Sequence, residues 1–188
     1  MSKELILGID PGTAVTGYGV VAQEGGGAVS LVECGVVRTS SREALPVRIR
    51  EIFEEITALI ARHAPSVVVV EDVFQGKNVQ SALKLGHARG AILLAAALGD
   101  IPIAEYSPRE IKKAVVGNGN ATKDQVGFMV QQQLRLKTAP TPADAAELMS
   151  IVEPAVNWVY GSYSISTDAL ATPIADLSAS VTKDEAAA

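Results

Sequence analysis

Asp10, Glu71 and Asp144 are the residues of this chain whose chemistry most needs an explanation. Leu5-Ile6-Leu7-Gly8-Ile9 runs into Asp10, and Val67-Val68-Val69-Val70 runs into Glu71, so each carboxylate stands where a strand-like apolar run ends. Asp144 opens the last helical segment that the pattern predicts. A carboxylate at the end of a buried strand is costly unless a cation or hydrogen-bond donor offsets its charge. Divalent cations fill that role in phosphodiester hydrolysis, where two of them roughly 3.5–4 Å apart hold the attacking and leaving oxygens. The arrangement points to a metal-dependent nuclease.

Each acid also has a plainer reading. Asp10 ahead of Pro11-Gly12 suits the opening of a turn. Thr141-Pro142-Ala143-Asp144 suits a capping box with proline at the first helical position. Glu71 is harder to place structurally, because four preceding valines leave it needing a cationic partner. No cluster of Cys and His suggests zinc, and His63 and His87 read as ordinary helix residues. A Ser or Cys nucleophile lacks a histidine in a recognisable partner motif.

The elements that would position these acids follow from periodicity. Residues 4–10, 16–23 and 28–38 read as three successive antiparallel strands, separated by Pro11-Gly12-Thr13 and Gly25-Gly26-Gly27. From 41 to 63, Ile49, Ile52, Phe53, Ile56, Leu59 and Ile60 recur at helical spacing. The valine run 67–70 does not alternate, as befits a central strand buried on both faces. A helix over 79–98, a strand over 101–105 and helices over 108–116 and 123–136 follow, with another beginning at Thr141.

Composition bounds the rest. A chain of 188 residues, 48% apolar and 4% aromatic, suits one well-buried α/β domain. Met1-Ser2-Lys3-Glu4 leads straight into a strand pattern, and the longest apolar stretch, 91–98, is too short to span a bilayer. Cys34, the single cysteine, excludes an intrachain disulfide and reads as a small core or half-buried residue. The expectation is a soluble, intracellular, cytoplasmic protein without membrane partners. A net charge of −5 lacks the overall basic signature of many DNA binders, but phosphate contacts need positive charge only where the backbone lies. Lys77, Lys84, Arg89, Arg109, Lys112, Lys113 and Lys123 concentrate basic charge mid-chain.

The order β-β-β-α-β-α-β-α is that of a ribonuclease-H-like fold: an α/β mixed five-stranded sheet, three strands antiparallel and then two parallel, flanked by helices. The wording is more specific. Gly8-Ile9-Asp10-Pro11-Gly12 with Thr16-Gly17-Tyr18-Gly19-Val20 resembles the opening of RuvC-type Holliday junction resolvases. Glu71-Asp72-Val73-Phe74 with Lys77-Asn78, Ser81-Ala82-Leu83-Lys84-Leu85-Gly86 with Ala88-Arg89-Gly90, Val115-Val116-Gly117 ahead of Lys123, and Pro142-Ala143-Asp144-Ala145-Ala146 continue the resemblance in family order.

That resemblance implies an endonuclease that resolves four-way DNA junctions in recombination and repair, using Mg²⁺, or Mn²⁺, with two ions per site. Asp10 would bridge the ions and Glu71 and Asp144 complete their shells. It also implies a homodimer, for which the alanine-rich helix 79–98 is a plausible interface, action beside the RuvA–RuvB branch-migration machinery, and preference for a short thymine-containing sequence. Phe74 would stack on an exposed base. Lys112 and Lys123 match basic positions near the active centre, with Lys77, Lys84, Arg89 and Lys113 as further phosphate contacts.

The fourth acid departs from the family. Asp-Ala-Leu-Ala usually continues the last helix, whereas Glu147-Leu148-Met149-Ser150 stands here. Glu147 shares a helical face with Asp144 and would reach the same metals. Asp168-Ala169-Leu170-Ala171 carries the family wording at a displaced position. Residues 1–153 are therefore expected to form the nuclease domain. Residues 154–188, with Trp158, Tyr160 and Tyr163 and a Ser/Ala-rich end, are expected to form a divergent, partly disordered segment. Two other classes remain: a non-catalytic junction-binding protein with an impaired metal site, and an actin-like ATP-binding protein, whose first phosphate loop Gly8-Ile9-Asp10-Pro11-Gly12-Thr13 also resembles. No second phosphate loop is found for the latter.

Overall fold

Four consecutive valines that feed two different cores organise this molecule. The computed structural model describes residues 3–24, 28–72 and 79–135. Within them, β1 (Glu4–Asp10), β2 (Val15–Glu24), β3 (Ala28–Arg38), β4 (Val67–Glu71) and β5 (Ile103–Tyr106) form one sheet in the order β3-β2-β1-β4-β5. β1–β2 and β2–β3 pair antiparallel, and β1–β4 and β4–β5 pair parallel. This is the mixed five-stranded sheet expected from the sequence.

Helices α1 (Leu45–His63) and α2 (Val79–Leu98) cover one face, and α3 (Pro108–Val116) and α4 (Lys123–Gln133) the other. Side chains alternate along a strand. Val68 and Val70 therefore join Leu7, Ile9, Ile52, Ile56, Leu59, Ala88, Ile92 and Ala96, while Val67 and Val69 join Ile6, Val21, Val115, Val126 and Val130. With both faces buried, β4 has no polar position until Glu71. Truncating Ile56, fully buried on the core face of α1, to alanine would cost about 2–5 kcal/mol in urea unfolding.

Element ends differ from the periodicity for local reasons. Residues 41–44 precede α1, with Glu43 N–H bonded to Ser40 O at 3.1 Å, and the helix begins beside Pro46. β5 starts two residues later than expected because Pro102 has no N–H, although its carbonyl accepts from Val68 N at 2.9 Å. α4 ends at Gln133, and Arg135 beyond it takes a left-handed φ of 52°. Cys34 is half-buried and unpaired by any disulfide, as expected.

His63 is more than an ordinary helix residue. A register shift at Val20/Val21 leaves Val32 as the extra residue of a β-bulge, since Val20 faces Glu33 and Val21 faces Leu31. The bulge turns Glu33 to the face opposite Leu31, towards α1. There its carboxylate accepts from Tyr18 OH at 2.9 Å, meets His63 Nε2 at 2.7 Å and pairs with Arg62 at 3.2 Å. Gly35 makes room for the Tyr18 ring, because a Cβ there would lie 2.6 Å from the phenolic oxygen.

Burial pushes the Glu33 carboxyl up, but the hydrogen bonds from Tyr18 and His63 and the Arg62 charge outweigh it and hold Glu33 below the ordinary carboxylate value. The resulting stabilisation is complete above the unfolded value of about 4.3 and is lost as pH falls through the lower folded value. Stability of Glu33→Gln, measured by urea unfolding at stepwise lower pH, should therefore fall less steeply below about pH 4.3 than that of the parent chain. Equal slopes would show that Glu33 does not contribute to acid unfolding.

Candidate active site

Parallel pairing places the first two acids together. Ile9 is in register with Val70, so Asp10 and Glu71, one residue further along each strand, end neighbouring strands about 4.8 Å apart. Alternation turns both away from the α1–α2 core, onto the face covered by α3 and α4. Both are partly exposed, as carboxylates meeting a polar ligand must be. On β2, Gly17 faces Asp10 and Gly19 faces Gly8, so the surface beside Asp10 consists of backbone rather than side chains.

The turn after Asp10 is fastened from two sides. Thr16, fully buried, donates its hydroxyl to Gly12 O at 2.6 Å and accepts from Gly12 N at 3.4 Å. Gly12 has no space for a side chain, since a Cβ would sit 2.0 Å from Val15 O. From α1, the Arg48 guanidinium donates to Thr13 O and, through Nε, to Thr39 Oγ1 at 3.0 Å. Thr39 in turn donates its hydroxyl to Thr13 O and its N–H to Ala14 O. Thr39 and Arg48 were not singled out from the sequence, and Thr16 only as the first residue of the Thr16–Val20 block. Thr16 stands beside the Gly-Ile-Asp-Pro-Gly wording, but nothing local marks Arg48, which lies 35 residues from its acceptor.

Glu71 is held by the next strand. It is in register with Tyr106, and Asp72 N–H continues the ladder to Tyr106 O at 2.8 Å. On the opposite face, Arg89 from α2 reaches Asp72 at 3.5 Å and also pairs with Glu105. Its Nε is buried without a hydrogen-bond partner among the described residues. Arg89 thus ties α2 to the ends of β4 and β5 rather than presenting an uncommitted cation.

The remaining basic positions lie on α2, α3 and α4. Lys112 is half-buried on α3 and Lys113 exposed beside it, Lys123 is exposed on the first turn of α4, and Lys84 is exposed on α2. Thr122 caps α4 through a capping box with Gln125 and so sets where Lys123 begins the helix. Asp144, Glu147, Asp168, Phe74, Lys77 and the expected helix at Thr141 lie outside the described residues, as does the whole segment 154–188. Among the described residues no group of three His, Cys, Asp or Glu side chains converges as a metal site. Asp10 and Glu71 are hard oxygen donors, the type that Mg²⁺ and Mn²⁺ prefer.

Replacing Thr16 by valine keeps the shape but leaves the Gly12 carbonyl without its donor, which should destabilise the fold by about 1–3 kcal/mol in urea unfolding. Thr16→Ser should recover most of that loss. A valine variant as stable as the parent would show that the hydroxyl does not hold the turn.

The crossover junction endodeoxyribonuclease RuvC sequence family matches residues 6–153. A relative of that name from Chlorobium phaeovibrioides is 46% identical over 147 residues, 78% of each chain, and one from Shewanella baltica is 49% identical, covering 78% of this chain and 83% of the relative. The solved structure of T. thermophilus RuvC in complex with Holliday junction substrate is similar with a TM-score of 0.76 and 34% identity, covering 85% of this chain and 94% of that one. The yeast mitochondrial Holliday junction resolvase Ydc2, at 14% identity and a TM-score of 0.63, shares the fold. Among the described residues no helix is long and apolar enough to cross a membrane. With the family matching residues 6–153 and relatives 46–49% identical, this chain belongs to the crossover junction endodeoxyribonuclease RuvC family.

Proposed function

We propose that this member of a nuclease family resolves four-way DNA junctions by paired phosphodiester hydrolysis at Asp10 and Glu71. The observation that carries the reading is the placement of these two carboxylates at adjacent ends of parallel strands, on one face of the sheet. Asp144 would supply the third carboxylate, and Glu147 or Asp168 the fourth. When bound, two Mg²⁺ ions, or Mn²⁺ in their place, would lower the pKa of the attacking water and stabilise the leaving oxygen. Asp10, on its fastened turn, holds one side of the site. Glu71, anchored through the β4–β5 ladder, holds the other.

Lys112 and Lys123 stand on the two helices that cover the acidic face and would bind phosphate near the cut. Lys77, Lys84 and Lys113 would follow the backbone further out, and Phe74 would stack on an unpaired base at the crossover, an interaction worth about 1–3 kcal/mol. Arg89 leaves this set in our reading. Its pairing with Asp72 and Glu105 makes it a positioning residue for the strand ends.

Two cuts in symmetric strands call for two sites, and α2 offers the surface to pair them. Val79, Leu83, Leu94 and Leu98 are 74%, 60%, 52% and 68% exposed along one helical stripe. Gly86 and Gly90 interrupt the same stripe, and a Cβ at either would meet nothing within 4 Å. An apolar, small-residue stripe of this kind suits close packing with its counterpart in a second copy. We further propose action in the cytoplasm on chromosomal junctions, beside RuvA–RuvB, in nuclease domain 1–153. The divergent segment 154–188 would stand outside that domain.

Asp10→Asn or Glu71→Gln should lower the rate of symmetric nicking of a synthetic four-way junction by at least about a thousandfold, about 4 kcal/mol in barrier. Junction binding in EDTA should persist, and EDTA should abolish nicking by the parent chain. Undiminished nicking by either variant would remove these residues from the chemistry. Tight binding by a parent chain that never nicks would favour the non-catalytic reading. Leu83→Glu with Leu94→Glu should convert a dimer to monomer in sedimentation velocity, and an unaltered sedimentation coefficient would place the interface elsewhere.

A further inference from the structure

A second basic feature lies one strand outward from the acids. The turn after α3 folds back to form an open cleft of about 550 Å³ lined by Ser107, Arg109, Glu110, Lys113, Gly117, Asn118 and Gly119. Arg109 and Lys113 are four residues apart on α3, so they share a helical face and both line the cleft. Like charges at that spacing repel, and neither has an ion-pair partner among the described residues. The one acid in the cleft is already occupied: Glu110 accepts from Ser107 N at 2.9 Å and from Ser107 Oγ at 2.7 Å in the capping box.

The loop is shaped by its own hydrogen bonds. Gly117 ends α3 at a left-handed φ of 78°, and its N–H bonds to Lys113 O at 2.8 Å. Asn118 accepts from Asn120 N through its side chain at 3.0 Å and from Ala121 N through its carbonyl at 3.1 Å. Ala121 is buried in the core. Gly119 lies directly against Arg109, where a Cβ would come within 2.6 Å of Arg109 Cγ. The arginine stem is thus braced by backbone, which reduces the freedom its guanidinium loses on binding an anion.

We propose that this cleft is a phosphate clamp for a duplex arm of the junction, with Arg109 and Lys113 as its two cationic ligands. Its position favours a backbone phosphate over a free anion. α3 follows β5 directly, and Tyr106, the last residue of β5, is in register with Glu71. A strand whose scissile phosphate lies at Asp10 and Glu71 would therefore continue along the sheet edge past Ser107 and meet the clamp. This assignment rests on the DNA-junction reading above and adds Arg109 to the contact surface.

The test is junction affinity in EDTA across a salt series, for the parent chain, Arg109→Ala/Lys113→Ala, the conservative pair Arg109→Lys/Lys113→Arg, and Arg42→Ala as an exposed cation away from the cleft. The alanine pair should flatten the slope of log K against log salt by roughly 2, and the conservative pair should restore it. Arg42→Ala should leave it unchanged. A parent-like slope for the alanine pair, or an equal effect from Arg42→Ala, overturns the clamp while leaving the junction reading intact. A parent chain that binds no DNA overturns both. Titration with inorganic phosphate, followed by amide NMR shifts of Lys113 and Gly119, covers the remaining source: saturation by free phosphate with no change in the DNA slope would assign the cleft to a free anion instead.

Discussion

The parallel pairing of β1 with β4 is the constraint on which the rest depends. A register that places Ile9 beside Val70 brings together two carboxylates that are 61 positions apart in the chain, and the period-two alternation of strands decides that both face α3 and α4. A slip of one residue would turn one acid into the α1–α2 core. The register is held by the valines of β4, which bury alternately in two cores and leave no such slip without exposing apolar groups or burying a charge. The same packing that stabilises the sheet thus sets the two carboxylates side by side.

Around that pairing, polar interactions are concentrated where the chain leaves the sheet. Thr16 and Arg48 restrain the turn beyond Asp10, and Arg89 links α2 to the residues beside Glu71 and Tyr106. These contacts lie at the ends of apolar strands, where backbone groups leave the ladder and must find other partners. Restraint there fixes where the carboxylates at the strand ends stand.

The two faces of the sheet carry different groups. The α1–α2 face carries the larger helices, the bulge-directed Glu33 cluster and the exposed apolar stripe of α2. The α3–α4 face carries the acids, Lys112, Lys123 and the Arg109–Lys113 cleft. An acidic protein of net charge −5 can present a nucleic-acid surface in this way, since counterion release depends on cations local to the phosphates.

Much of the fold was legible in the chain because its signals are local. The valine run marked a strand buried on both faces, helical spacing marked α1, and the wording around Asp10, Glu71 and the Ser81–Gly90 block carried the family resemblance. The sequence alone determined which acids stand at strand ends. Only the tertiary structure decided which groups meet across long separations: Arg48 with Thr13, His63 and Tyr18 with Glu33, and Arg89 with Asp72 and Glu105. Those partners depend on strand register, a bulge and helix docking, which arise from the packing of many residues together and leave no periodic trace in any one segment.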